Sequence, residues 1–534
     1  MRKPTSEPPE NHPMNRPKQH PACLVRWLSL LTLLAVTSLT YSAEKNATLA
    51  AAMNSIAAGQ LQSHVDVLAD DKMAGREAGT SGGQAAAEYL AEHLQQLGLE
   101  GAGTDGTFYQ RFGAGYRNVL AQLPGGDPEL SQEIVILCAH YDHIGRGNRK
   151  TSLGRVGQIH NGADDNASGT SAILEIAEAF GFLPEAPRRT VLFAFWDAEE
   201  KGLLGSKHFA ANPTVPRDRI VAVINIDMIG RLRNNQLTIF GSRTAHGYRR
   251  LVSVNNAQTD LQIDFSWSLT GNADHYPFFQ RDIPVLFAHT GLHDQYHRET
   301  DDSDLINSDG MAHVTRLLFG VTYDLAEDVE HPKFRAACRR ETAPKSDTST
   351  KEVGAVPQRF GVAWNPQEVH DEGIELTSVT PGSAADSAGI RPGDRVIELA
   401  GHIIHSGEDL AGAVLSAVNP VRVVLKPRQA DESRKLMVQL EGKPIRLGVT
   451  WRLDEAEPGT VILKQVYPGS PAARAGLLPG DRVYQVGGRD FVDDDQFAQW
   501  ATELPGPTEL LVERQGRLKT IVVHFADEAL EPAA

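Results

Sequence analysis

Three apolar runs, each closed by a histidine or an acid, constrain this chain more than any other feature of it. They are "EIVILCAHYDH" (133–143), "RRTVLFAFWD" (188–197) and "RIVAVINIDM" (219–228). Unbroken apolar runs, rather than alternating ones, belong to strands buried on both faces. The helical stretch "GTSAILEIAEAFGFL" (169–183) lies between the first two, so from about residue 55 to 325 the order predicts an α/β domain with a mostly parallel sheet flanked by helices. In such sheets the functional groups collect just beyond the carboxyl ends of the strands.

That edge is where the polar residues fall. His140 and Asp142 follow the first strand, and Asp164 and Asp165 stand in "NGADDNASGT" (161–170) directly before the helix. The pair Glu199 and Glu200 ends the next strand, Asp227 ends the third, and His297 lies in "GLHDQYHRETDD" (291–302). One Asp-Asn-Ser turn is ordinary helix-start chemistry. A row of acids on one sheet edge is different, because without a counter-charge they repel and several must stay protonated. Two divalent cations remove that repulsion. Two histidines and three carboxylates, one of them shared, give each ion a nitrogen and two oxygens, a set that suits zinc. One acid of the adjacent pair is then left over as a general base for hydrolysis.

The motifs "AHYDH", "GADDNASG", "WDAEEKGLLGS", "NIDMIGR" and "LHDQYHRETDD", in this order, resemble those of the di-zinc aminopeptidases that include leucyl aminopeptidase and aminopeptidase Y. The resemblance spans roughly residues 50–325 and implies the zinc exopeptidase fold. It further implies that Asp164 bridges two Zn2+ ions, one also held by His140 and Asp227, the other by Glu200 and His297. Glu199 is the implied general base, Asp142 the residue that orients His140, and Tyr296 a stabiliser of the oxyanion. His293, Asp274 and His275 are candidates for the substrate pocket. The activity implied is hydrolysis of the peptide bond next to a free amino terminus.

Beyond this domain the sequence changes character. Residues 330–356 lose apolar periodicity and are rich in charge, Ser, Thr and Pro, a linker composition. Then "PGSAADSAGIRPGDRV" at 381–396 returns as "PGSPAARAGLLPGDRV" at 468–483, and "RFGV" at 359–362 returns as "RLGV" at 446–449. A repeat of this period is domain-sized. The two copies, 357–440 and 441–528, resemble PDZ domains, small β-rich modules in which a glycine-containing loop receives a peptide carboxylate and the peptide adds a strand to the sheet. The loops implied are Phe360, Gly361 and Val362, and Leu447, Gly448 and Val449. Packing against the first domain is the alternative use of such a module.

The amino terminus reads as an export signal over residues 1–43. Basic residues precede the apolar stretch "LVRWLSLLTLLAVTSLT" (24–40), which falls short of the ~20 residues of a membrane-spanning helix. A periplasmic or secreted protein is expected, touching membrane only through an uncleaved signal, with the peptidase domain over 44–329. The formal net charge of −16 argues against nucleic acid, whose phosphates need clustered Lys and Arg. Three cysteines make no disulfide framework, and Cys138 sits in an apolar run as a small hydrophobe. Two other functions use the same residues: a PDZ scaffold whose first domain merely holds metal, and a glutaminyl cyclase-like acyl transfer. The leftover acid weighs against the first and the full two-ion ligand set against the second.

Overall fold

The computed structural model describes residues 47–113, 115–342, 358–365, 367–503 and 507–525, and the export signal read in 1–43 lies outside them. Among the described residues no helix is long and apolar enough to cross a membrane.

The first domain is built on a nine-stranded sheet. Its strands are β1 (Glu100–Gly101), β2 (Tyr109–Phe112), β3 (Tyr116–Leu123), β4 (Ile134–His140), β5 (Thr190–Trp196), β6 (Ile220–Ile226), β7 (Gln236–Phe240), β8 (Gln262–Ser266) and β9 (Val285–His289). They lie in the order β1-β3-β5-β4-β6-β9-β7-β8, with β2 on β3. The central four, β5, β4, β6 and β9, are mutually parallel, and β3 and β7 flank them antiparallel. The α/β expectation is met, with antiparallel margins that the apolar runs did not signal. Every residue of β4, β5 and β6 is buried, as their composition required.

Two layers of helix bury the two faces. A helix covers residues 47–55 (α1), followed by α2 (Ala58–Leu68), α3 (Ser81–Gln96), α4 (Gly169–Phe180), α5 (Leu204–Ala211), α6 (Tyr248–Asn255), α7 (Tyr276–Phe279) and α8 (Ser308–Glu327). Val135, Leu137 and Ala139 of β4 join the core formed with α2, α3, α4 and α8. Their neighbours Ile134, Ile136 and Cys138 face the other way, against Phe209 of α5 and Phe278 of α7. Because β4, β5 and β6 run in parallel, their carboxyl ends, and the His and acidic residues that follow, share one edge of the sheet.

The linker read from residue 330 begins too early. Phe334 bridges to Ala245, the Arg335 amide donates to the Thr244 carbonyl at 2.7 Å, and Cys338 is buried against the first domain. Arg335 and Arg243 both grip the Glu341 carboxylate, Arg335 Nη1 at 2.8 Å and Arg243 Nε at 2.7 Å. Ion pairs rather than apolar periodicity hold this segment, and for that reason its composition looks like that of a linker.

Each repeat folds into a six-stranded antiparallel sheet of the same topology. The first has β10 (Val362–Trp364), β11 (Ile374–Val379), β12 (Arg395–Leu399), β13 (His402–Ile403), β14 (Val421–Lys426) and β15 (Arg434–Val438). The second has β16 (Val449–Leu453), β17 (Val461–Val466), β18 (Arg482–Val486), β19 (Arg489–Asp490), β20 (Thr508–Arg514) and β21 (Arg517–Val523). Gly361 and Gly448, at φ +72° and +81°, occupy equivalent turns, and a Cβ on either would come within 2.1 Å of the Cβ of Ser383 or Ser470. Those serines are the "PGS" residues of the repeated motif, and each caps the short helix that follows it. Glycine and serine are therefore fixed together in both copies by one close approach. Strands β10 and β16 are each paired on one side only among the described residues.

The second repeat is locked onto the first domain. Arg249 Nε and Nη2 donate to the Glu513 carboxylate at 2.8 and 3.1 Å, and the Arg249 amide donates to Glu457 at 2.8 Å. Arg243 reaches Asp454 at 2.6 Å and Arg250 reaches Asp490 at 2.7 Å. The Ile263 amide of edge strand β8 donates to the Gln515 carbonyl at 2.8 Å, which blunts that edge. Glu513 is fully buried, and without Arg249 its nearest remaining counter-charge is the more distant Arg482, 3.8 Å away. Arg249→Ala is expected to weaken this docking by about 3 kcal/mol, read as faster hydrogen exchange of the Ile263 amide than in the unsubstituted protein.

Candidate metal centre

Beyond the end of β4 the chain turns so that the His140 Nδ1 faces the Asp142 backbone carbonyl at 3.1 Å. That hydrogen bond puts the proton on Nδ1 and leaves Nε2 as the free donor atom. Nε2 stands 3.3 Å from Asp165 Oδ1 and 3.5 Å from Asp227 Oδ1. Asp142 thus orients His140 mainly through its carbonyl. Its carboxylate, 3.8 Å from the ring, accepts the Glu199 amide at 2.9 Å and so ties the acid pair to the loop after β4.

The other oxygen of Asp165 serves a second group. Asp165 Oδ2 is 3.1 Å from His297 Nε2, and that same nitrogen is 3.3 Å from Glu200 Oε2. His297 is held by its Nδ1, 3.0 Å from the Thr151 carbonyl, on a loop the sequence had not connected with the site. His143, also unforeseen, stands 2.8 Å from Glu200 Oε1 through its Nδ1. His140, Asp165 and Asp227 form one set of atoms able to hold a metal ion, and His143, Asp165 and Glu200 form a second, with His297 Nε2 beside the same two carboxylates.

The shared carboxylate is Asp165, which corrects the assignment of that place to Asp164. Both residues lie in the irregular turn Ala163–Ser168, and both amides donate to Asp301 Oδ2, at 2.9 and 3.2 Å. From there the side chains part. Asp164 Oδ1 accepts the Gly230 amide at 2.6 Å, which turns it toward the loop after β6, and its Oδ2 lies 3.1 Å from His293 Nε2 in the loop after β9 with no hydrogen-bond donor among the described residues. The next residue, Asn166, anchors the turn to the same loop, donating to Ile226 O at 3.0 Å and accepting from the Met228 amide at 3.2 Å. Neighbouring acids in an irregular turn carry no periodicity that says which one faces inward.

Arg76 is the largest omission from the sequence reading. Its guanidinium is fully buried and donates only to backbone carbonyls, those of Tyr141, Leu68, Asn161 and Gly162, at 2.6–2.8 Å. It staples the loop after β4 to the turn that carries Asp165. Burial lowers its pKa to about 10, and Asp165, Asp142, Asp301 and Glu200 oppose that fall.

The electrostatics of the cluster match a cation site. Burial alone would lower the imidazole pKa values, yet the surrounding acids raise His140 well above its ordinary value and His297 to about 11. Burial would likewise raise Asp165, but hydrogen bonds from His140 and His297 hold it well below the usual carboxylate range. Burial, reinforced by the nearby acids, pushes the Glu199 carboxyl well above that range. Asp227 Oδ1 is buried and finds no hydrogen-bond donor among the described residues. Excess negative charge, an orphaned acceptor and imidazole nitrogens aimed at carboxylate oxygens are what a divalent cation satisfies.

The remaining candidates divide. Tyr296 lies with its ring 4.0 Å from that of His297, and burial raises its phenol pKa. His293 lines a cavity of about 470 Å³ with Arg231, Arg233, Leu292, Gln295 and Asn307. Asp274 and His275, the other two substrate-pocket candidates, are both buried. Asp274 is fully buried and accepts from the Ser206 hydroxyl, with its carboxyl pushed up by burial to about 6. His275 is stacked on Phe287 at 4.9 Å, and neither ring nitrogen has a partner among the described residues.

Residues 118–322 match the sequence profile of Peptidase family M28, and residues 375–426 and 462–514 each match that of the PDZ domain. The first domain is a Peptidase family M28 domain. Two PDZ domains follow it. The M28 domain is similar to leupeptin-inactivating enzyme 1 of Streptomyces exfoliatus, 28% identical over 42% of this chain and 46% of that protein. It is also similar to aminopeptidase YwaD of Bacillus subtilis, 27% identical over 38% of this chain and 43% of that one. The chain therefore spans about half the length of these relatives. Among solved structures, the LapA aminopeptidase of Legionella pneumophila aligns with a TM-score of 0.44 at 22% identity, over 53% of this chain and 74% of that one.

Two outcomes follow from the geometry of the M28 domain. Asp165→Asn should lower the number of tightly held divalent ions measured by elemental analysis, whereas Asp164→Asn, which keeps an acceptor for the Gly230 amide, should leave it unchanged. Burial lowers the His275 pKa from 6.5 to about 4, so the unfolded chain takes up this proton first as pH falls. Its contribution is intact above about pH 6.5 and drains away toward pH 4. Between pH 7 and pH 5 the unsubstituted chain should lose about 2 kcal/mol more stability than His275→Phe, by denaturant melts.

Proposed function

We propose that the chain is an exported aminopeptidase that works with two zinc ions. The observation that carries this reading is the division of the Asp165 oxygens between His140 and His297, with the Glu199–Glu200 pair tied alongside. One ion would be held by His140, Asp165 and Asp227, the other by Asp165, Glu200 and His297. Three carboxylates against two dications leave a net positive site. When bound, such a pair supplies Lewis acidity at the scissile carbonyl and makes water easier to ionise.

The chain's own residues do the rest. Glu199 is fixed through its backbone to Asp142, beside but not within the ligand set, and accepts the proton of the attacking water. It then returns that proton to the departing amine nitrogen. Tyr296, whose ring lies 4.0 Å from that of His297, would donate its hydroxyl to the developing oxyanion. A free amino terminus as the recognised group is supported by relatives that are aminopeptidases by name. Export is supported by the basic start and the apolar stretch 24–40.

The two PDZ domains take different parts. The second is held by buried ion pairs and serves as a fixed flank of the M28 domain. The first has β10 paired on one side only among the described residues, beside the Phe360–Val362 loop, which suits a peptide carboxyl terminus laid down as an added strand.

The test is release of the amino-terminal residue from peptides with free and acetylated termini. Cleavage is expected only of the free peptides, and chelation should abolish it. Glu199→Gln should lower kcat by about 10²–10⁴-fold while both ions stay bound. Undiminished kcat in that variant, or cleavage of acetylated peptides, would overturn the reading.

A further inference from the structure

His143 lies on the same loop as His140, and nothing in the two-ion reading gives it a task. Its ring is fully buried. It is wedged against Gly162, where an added Cβ would come within 2.5 Å of the ring. It also stands edge-on to His297, with centroids 5.6 Å apart at 83°. Its amide donates to the Arg76 carbonyl at 3.2 Å. Both the ring and its backbone are therefore confined.

Its Nδ1 lies close enough to Asp165 and Glu200 to be grouped with them as a metal-holding set, but its separations from the two are uneven. An ion with bonds of ~2.0–2.1 Å in a tetrahedral site keeps its ligand atoms about 3.3 Å apart. His297 Nε2 fits that edge, at 3.1 Å from Asp165 and 3.3 Å from Glu200. His143 Nδ1 is 2.8 Å from Glu200 Oε1 but 3.9 Å from Asp165 Oδ2. The short separation is a hydrogen bond, and the long one lies outside hydrogen-bond reach. Glu200 thus has one oxygen turned toward His297 and the other held by His143.

Resting on the two-ion reading, we propose that His143 is a positioning residue: its Nδ1–H donates to Glu200 Oε1 and fixes the carboxylate so that Oε2 meets the ion it shares with His297 and Asp165. Ligand carboxylates are commonly steadied in this way, and loss of such a partner typically costs 10–100-fold in metal affinity. The effect is one-sided. The ion held by His140 and Asp227 makes no use of this hydrogen bond.

Zinc affinity of the full-length, metal-free chain, titrated against a chromophoric chelator, separates the possibilities. His143→Phe, which fills the space without a donor, should weaken one of two sites by about 10–100-fold and leave the other as it was. His143→Asn, whose amide nitrogen replaces Nδ1, should recover most of the loss. Cobalt absorption spectra should show the same one-site change. Should the Phe variant fail to fold, His143→Leu serves in its place. Two unaltered affinities in the donor-less variant would overturn the proposal. So would a loss as complete as that of His297→Ala with no recovery in the Asn variant, which would make His143 a ligand. An unsubstituted chain that binds fewer than two ions would overturn the two-ion reading, and this inference with it.

Discussion

The attraction that the M28 domain is organised around is between a crowd of buried carboxylates and the positive charge that must neutralise them. Buried Asp142, Asp165 and Asp227 and half-buried Glu199 and Glu200 converge on one edge of a parallel sheet, where low-dielectric surroundings make their mutual repulsion costly. Arg76 is a fixed cation built into the loops beneath them, and its guanidinium spends its hydrogen bonds on four backbone carbonyls rather than on any acid. It thereby contributes charge and loop geometry at once, leaving the carboxylate oxygens free to face ions.

Around that centre, several of the candidate ligand side chains are held by hydrogen bonds from groups outside the proposed ligand set. Thr151 holds His297, the Asp142 carbonyl holds His140, Asp301 holds the amides of the Asp165 turn, and His143 holds Glu200. The parallel sheet brings strand ends together only to within loop distance. These outer bonds convert proximity into ligand geometry, the property on which metal affinity depends most steeply.

The same kind of force is used at a larger scale. Arginines of the loop after β7 and of α6 grip acids of the second PDZ domain, and the segment 334–341 is carried on arginine–glutamate pairs. The interface is specified by charge and directional bonds more than by apolar area. Its legibility in sequence is correspondingly poor, because Arg243, Arg249, Asp454 and Glu513 look like surface residues until both domains are folded. The repeat itself was plain, since one close approach fixes Gly361 with Ser383 and again Gly448 with Ser470.

Strand composition was enough to set the α/β class, the polar edge and the presence of acids and histidines in ligand numbers. Continuous apolar runs are buried on both faces, and whatever follows them in parallel strands must share one edge. What only the tertiary structure decided was direction. Asp164 and Asp165 are identical in type and adjacent, and an irregular turn sends one to Gly230 and the other to His140 and His297. His143 and Arg76 acquire their places through contacts between residues more than fifty positions apart. The Asp274–His275 pair, polar in sequence, is folded into the interior. Periodicity tells which strands are buried; in turns that lack it, the side-chain direction is set by partners that only folding brings near.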